Sequence, residues 1–393
     1  MNSFSLYKAE IKKILSRKAV WIAMAVSVAF VFAVGLINLS ADGHSAYVKK
    51  QEKLLTAISG NAVDDAFLDD FRDEMEKKID EDPQLSDMPA AYDPGAAYRN
   101  AAEQAGKSAL YDYLCSVVRD REEAAAITSD GFYRAMREDI VSDGTALGSS
   151  EAELDTWLEI YDGIEKPMAY SYALAYMKIL EVLYIVGWAL FMNISIALAG
   201  IFADEKTYRT DAMILSSKNG RLPVCIAKIA AGCTVAVTEA VILLGLCMGV
   251  MFLFYGTAGW NAAIQNVMPS SPWNITIGTM VLIYIALAVL VSILFAMSNA
   301  LFSLLTKSAV ATMAIHAAVI FAGIFNIPGK AGVIKKLWQL RPTMALYSGT
   351  FCNTFRYGGM NNVEASVLIY CICIAVIAAV LPALYGKTQV ESR

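Results

Sequence analysis

The stretch IFADEKTYRTDAMILSSKNGRLPVCIAK, Ile201 to Lys228, lies between two long apolar runs. It carries Asp204, Glu205, Lys206, Arg209, Asp211, Lys218 and Arg221, with Met213, Ile214 and Leu215 set among them. Charged side chains at bilayer depth are costly. The stretch therefore reads as a loop outside the membrane that separates two spans. The rest of the chain follows from that division.

Of the 393 residues, 57% are hydrophobic and 18% charged. A soluble domain carries about a quarter charged residues, so the composition points to a membrane protein. The charge is unevenly placed. Between Leu39 and Lys178 there are 29 acidic and 14 basic residues, a net of −15; the remainder has 8 acidic and 18 basic, a net of +10. One acidic, soluble portion is thus set into a basic, apolar chain.

A bilayer core of about 30 Å needs roughly 20 apolar residues in helix. Residues 19–38 meet that, preceded by Lys8, Lys12, Lys13, Arg17 and Lys18. A cleaved signal peptide has an apolar core of about 7–15 residues ending in small side chains. This run is longer and Leu39-Ser40-Ala41 is a poor cleavage site, so an uncleaved anchor is expected. Further spans are expected near 179–202, 229–254, 275–305, 308–327 and 367–385, which makes six. Basic residues in short loops set orientation. They cluster before the first span and at Lys206, Arg209, Lys218 and Arg221, which puts both termini and the charged stretch in the cytoplasm. Lys330, Lys335, Lys336, Arg341 and Arg356 fall in an outer loop and run against that count.

The expected organisation is an all-α membrane protein. A cytoplasmic amphipathic helix spans 1–18, where Phe4, Tyr7, Ile11 and Ile14 recur at helical spacing opposite the lysines, as in helices that lie on a membrane surface. A first transmembrane helix covers 19–38 and an acidic, helical extracellular domain 39–178. A second transmembrane helix covers 179–202, and the cytoplasmic segment is 203–221. Helices three to six occupy 222–385, with outer loops at 255–274 and 328–366, and the cytoplasmic tail is 386–393. Of the seven cysteines, five sit in apolar segments; only Cys115 and Cys352 are placed to bridge, and the chain is no disulfide scaffold.

Catalytic motifs are missing. Neither His44 nor His316 starts a zinc-protease HExxH, Gly43–Tyr47 is an incomplete nucleophile elbow, and Gly386–Thr388 lacks the first glycine of a phosphate loop. The chain is expected to bind no cofactor or metal itself, and nothing in it suggests nucleic acid. Asp65, Asp69 and Asp73 share a helix face that reads as a solvated acidic surface. Polar residues inside spans are better pointers to a pathway: Glu181 near the outer end of span two, Glu239 in the middle of span three and His316 midway along span five.

The chain resembles the permease subunits of type-2 ABC exporters, in the bacterial branch with an extracellular domain after the first helix. The matching residues are Glu165-Lys166-Pro167 with Tyr170 and Tyr172, and then Phe202, Glu205, Thr210, Asp211, Ser217, Gly220, Arg221, Ala227 and Lys228. The Gly256–Gln265 stretch GTAGWNAAIQ completes them. The motifs cover mainly 165–265, while the topology covers the whole chain. The resemblance implies a cytoplasmic ABC ATPase as partner, with ATP and Mg²⁺ held there, and a second permease copy or paralogue. It also implies that the loop between spans two and three contains the coupling helix. Met213, Ile214 and Leu215 would be an exposed apolar cluster unless a partner covers them. Glu205 is expected to pair with Arg221 or Lys228. The alternative is a membrane receptor whose acidic head binds a ligand, against which six spans and short cytosolic segments argue.

Overall fold

A computed structural model describes residues 3–42, 44–81, 108–117, 121–210, 222–325 and 332–390. Among them there is no strand, and the architecture is helical throughout. The chain opens with α1 (Ser3–Leu15), breaks at Arg17 in extended conformation (φ −78°, ψ 121°), and enters α2 (Lys18–Ala41). The head follows as α3 (His44–Ala57), α4 (Asp65–Glu81), α5 (Ala109–Val117), α6 (Arg121–Ala126), α7 (Ser129–Leu147) and α8 (Glu151–Asp162). The long apolar helices α9 (Leu174–Leu198), α11 (Leu222–Tyr255) and α12 (Ile277–Thr306) come next, with the short α10 (Ala203–Thr207) after α9. The chain ends with α13 (Ala309–Ala322), α14 (Val333–Gln339) and α15 (Asn362–Val390).

Helices α9 and α12 form the centre of the apolar bundle. Phe191 and Phe295 stack between them with ring centroids 4.5 Å apart. Asn193 Nδ2 donates to Ser27 Oγ at 2.9 Å, which ties α2 to the same centre. The outward faces of α2 and α15 stay apolar and exposed, for example at Trp21, Ile22, Ile372 and Val376. That is the pattern of helices solvated by lipid or by another helix rather than by water.

Among the described residues, five helices are long and apolar enough to cross a membrane: Lys18–Ala41, Leu174–Thr207, Leu222–Tyr255, Ile277–Thr306 and Asn362–Gly386. The expected span at 308–327 differs. Its helix covers only the 14 residues Ala309–Ala322, about 21 Å at ~1.5 Å per residue, short of a core about 30 Å thick. It stops at Gly323, whose carbonyl accepts from Tyr184 Oη at 3.2 Å and Arg341 Nη2 at 2.9 Å. Beyond it, 3-10 turns at Pro342–Met344 and Ser348–Cys352 pack down among the spans. Leu346 lies so close to Gly187 that a Cβ there would stand 2.8 Å from its Cδ1. The Tyr284 hydroxyl lies 2.9 Å from the Tyr347 carbonyl and 3.1 Å from that of Ser348. Irregular backbone at this depth is tolerated because protein groups satisfy it.

In the head, Phe67, Phe71, Tyr111 and Tyr170 form an aromatic core. Thr128 caps α7, and Ser150 with Glu153 forms a capping box on α8. The Gly256–Gln265 stretch and the residue after it clasp the head to the spans. Asn266 exchanges bonds with Ala169 O (3.1 Å) and Ser171 N (2.8 Å), and Gln265 Nε2 donates to Ser271 O and Trp273 O at 2.9 Å each. Gly259, at φ +97°, leaves no room for a side chain: a Cβ there would stand 2.8 Å from that of Ala173 and 3.0 Å from the Tyr172 carbonyl. Cys115 and Cys352 are not joined in a disulfide.

The head is also fastened to the segment after α14. Glu153 Oε1 meets Lys336 Nζ at 2.6 Å and the Arg356 N–H at 2.7 Å, and Trp157 Nε1 donates to Thr354 O at 3.0 Å. Burial alone would raise the Glu153 carboxyl, but Lys336 and the N–H groups of Ser150 and Arg356 outweigh it and hold it at about 2. A carboxylate held below its ordinary 4.5 adds stability that is fully present above that pH and is lost as the pH falls toward 2. The head's unfolding temperature should drop across that window in the wild type and less steeply in Glu153→Gln. Parallel pH profiles for the two proteins would remove Glu153 as the responsible group.

Candidate functional site

At the end of the bundle away from the head, charged side chains converge on one buried amine. Lys228, in the second turn of α11, has no exposed surface. Its Nζ lies 2.8 Å from Glu205 Oε1, 3.1 Å from Glu10 Oε2 and 2.9 Å from the Ile201 carbonyl, and 5.5 Å above the Phe202 ring. Lys13 Nζ stands 3.8 Å from the same Glu205 oxygen. Burial and the neighbouring Lys228 ammonium lower the pKa of the Lys13 amine. A second pair sits beside the first, with Arg17 Nη2 at 2.6 Å from Asp204 Oδ2 while Nη1 donates to Ala197 O at 3.0 Å.

The elements explain the convergence. α1 is amphipathic, and its apolar edge is laid on α11: Ile14 is buried and Tyr7 Oη bonds Thr234 Oγ1 at 2.9 Å. That register points Glu10 at Lys228. The bend after α9 puts α10 under the bundle, where Ser303 Oγ accepts from the N–H groups of Phe202 and Ala203 at 3.1 and 3.0 Å. Glu205 is thereby brought to the same point, 4% exposed. Two carboxylates and two ammonium groups balance, and that balance makes the burial tolerable.

Of the residues singled out by sequence, the structure joins Glu205 and Lys228 directly. Thr210 closes the turn below them through its N–H on the Glu205 carbonyl at 2.9 Å. Asp211, Met213, Ile214, Leu215, Gly220 and Arg221 lie outside the described residues. Glu181 sits apart at the head end, 3.2 Å from Lys178 Nζ, which also meets Asp42 Oδ2 at 3.3 Å. Tyr255 Oη donates to that Asp42 oxygen at 2.7 Å. His316 is fully satisfied, with Nε2 2.9 Å from Ser298 Oγ and Nδ1 3.0 Å from Thr312 O, between Phe295 and Phe302. Glu239 is 4% exposed in mid-span, and its Oε2 has no hydrogen-bond partner among the described residues.

Sequence reading missed Glu10, Lys13, Arg17 and Asp204 as members of one cluster. A clue was present: Glu10 is the only acidic residue among the first 18, in an otherwise basic helix. Among the described residues, no three His, Cys, Asp or Glu side chains converge as a metal site.

These features define an all-helical, multi-pass membrane protein whose N-terminal surface helix is ionically fastened to the junction of its second and third spans. A family model described as ABC-2 family transporter protein matches residues 4–387. The chain belongs to that family, as a permease component of an ABC transporter, and membership implies association with an ABC ATPase. No curated protein and no solved structure matches the chain.

Lys228→Ala should leave the buried Glu205 with only Lys13 at 3.8 Å as a counter-charge and take the partner from Glu10, at a cost of about 3–5 kcal/mol, read as a lower unfolding temperature of the purified protein. Exchanging the charges, Glu205→Lys with Lys228→Glu, should recover part of that loss. If Lys228→Ala melts with the wild type, the cluster does not hold these helices together.

Proposed function

We propose that the chain is the membrane-spanning subunit of an ATP-driven exporter. It moves a drug-, peptide- or lipid-like compound outward with ATP and Mg²⁺ held by a separate cytoplasmic subunit. In this reading both termini and residues 203–221 are cytoplasmic, and the acidic head is extracellular. The lysines of α1 and the basic residues of the charged stretch support that orientation. The exposed apolar faces of α2 and α15 suit a second permease copy or paralogue as well as lipid.

The observation that carries the proposal is the Glu10–Lys228–Glu205 cluster. The charged stretch leaves the membrane at Glu205 and re-enters before Lys228, and these two residues are clamped to each other and to α1. A force applied to the segment between them acts on spans two and three and on the surface helix together. Glu205, Thr210, Asp211, Gly220, Arg221 and Lys228 are the frame of the coupling segment in this account, and Met213, Ile214 and Leu215 are the apolar contact with the ATPase. Each such side chain is worth about 1.5–3 kcal/mol when fully removed from water. On the pathway itself, Glu239 is the strongest of the three span residues, because an unpartnered carboxyl at bilayer depth calls for a cavity or a ligand.

Ile214→Asp should abolish association with the ATPase subunit, measured by co-purification, while the permease retains the wild-type unfolding temperature. Normal association and normal transport in Ile214→Asp would remove the coupling role from this segment.

A further inference from the structure

Between the head and the membrane part lies a cavity of ≈ 420 Å³, within the ~300–1,000 Å³ of small-molecule sites. Its walls come from α7 of the head, spans α9 and α12, the end of α13, the inserted turns after α14, and the start of α15. One part is apolar, with Leu287 and Met344; another is aromatic, with Tyr184 and Tyr347 packed edge to face at 5.5 Å. The polar part holds Asp143 and Asn362.

Its charge is one-sided. No lysine, arginine or histidine is among the described lining residues, and Asp143 makes no ion pair or hydrogen bond among the described residues. Asp143 lines the cavity but is itself exposed to solvent; its partial burial and the nearby Asp139 raise its carboxyl above the ordinary value. Arg341, outside the lining, hydrogen-bonds Tyr184, and its guanidinium is also held by the Trp338 and Gly323 carbonyls at 2.7 and 2.9 Å and lies over the Trp338 ring. A second observation is independent of Asp143. Asn362 is 6% exposed; its Nδ2 donates to Thr350 O at 2.8 Å, yet Oδ1 is a buried acceptor with no donor among the described residues. Acid, orphan acceptor and two aromatic rings all ask for a positively charged donor, and the apolar wall asks for a tail. The net −15 of residues 39–178 makes the approach favourable to cations and unfavourable to anions.

We propose that this cavity binds amphipathic cations, an ammonium group carried on an apolar tail. The ammonium sits between Asp143 and the Tyr184–Tyr347 pair, and the tail lies along Leu287 and Met344. Binding needs neither nucleotide nor a second subunit, so the proposal stands or falls separately from the transport reading. The same chemistry is offered by a soluble alkylamine and by an amine lipid headgroup.

The test uses the purified full chain in maltoside micelles, titrated calorimetrically with hexylammonium, whose N–H groups can donate to Asn362, and with hexyl sulfate. The cation should bind about tenfold tighter than the sulfate. Asp143→Asn should weaken cation binding about tenfold, and Tyr184→Leu roughly three- to tenfold. Tyr184→Phe, which keeps the ring, should bind as wild type. Asp130→Asn, outside the cavity lining, should change nothing. Competition by short-chain phosphatidylethanolamine but not phosphatidylglycerol would assign the site to a lipid headgroup; no competition would assign it to a soluble amine. Equal affinity for the two probes, or undiminished cation binding by a folded Asp143→Asn protein, would overturn the proposal.

Discussion

Lys228 has its entire side chain removed from water, and that single condition constrains the end of the molecule away from the head. A buried ammonium without partners is strongly unfavourable. Glu205 must therefore arrive from the end of span two and Glu10 from the surface helix. Those arrivals fix where α1 lies on α11 and where α10 folds under the bundle, and Arg17–Asp204 completes the same seam. A basic surface helix that packed anywhere else would strand the amine.

The head end is held by the same kind of interaction. Lys178 joins Asp42 and Glu181, Tyr255 closes on Asp42, and Glu153 is shared by Lys336 and the Arg356 backbone. Between these two charged layers the spans touch mainly through apolar and aromatic packing, which permits sliding and tilting more readily than fixed ion pairs do. A permease component needs rigid ends that accept force and a middle that can rearrange. The distribution of charge meets that requirement.

Much of this was legible in the sequence. The apolar runs gave the long helices because twenty apolar residues in a bilayer satisfy their backbone groups within one segment only as a helix, and the excess of acid over base separated the head from the spans. The pairing of Glu205 with Lys228 was among the alternatives, since both flank one short loop. Other parts were not legible. The helix at Ala309–Ala322 stops early because Tyr184 and Arg341 bond the Gly323 carbonyl, and a hydropathy count is blind to partners so distant in sequence. Glu10 and Asp42 were not singled out, because their partners lie more than a hundred residues away. His316 drew attention as a lone mid-span histidine, yet Ser298 and the Thr312 carbonyl occupy both of its nitrogens.

In the proposed function, force from an ATPase enters at the charged seam. Tyr208 is 74% exposed, one turn past Glu205, at the edge of that seam. A photoreactive amino acid placed at Tyr208, irradiated in intact membranes, should cross-link to a subunit that mass spectrometry identifies as carrying a phosphate-loop ATPase sequence. A yield that changes with ATP would follow from the same account. Cross-links to lipid alone, from a protein that is fully inserted and still supports transport, would contradict it.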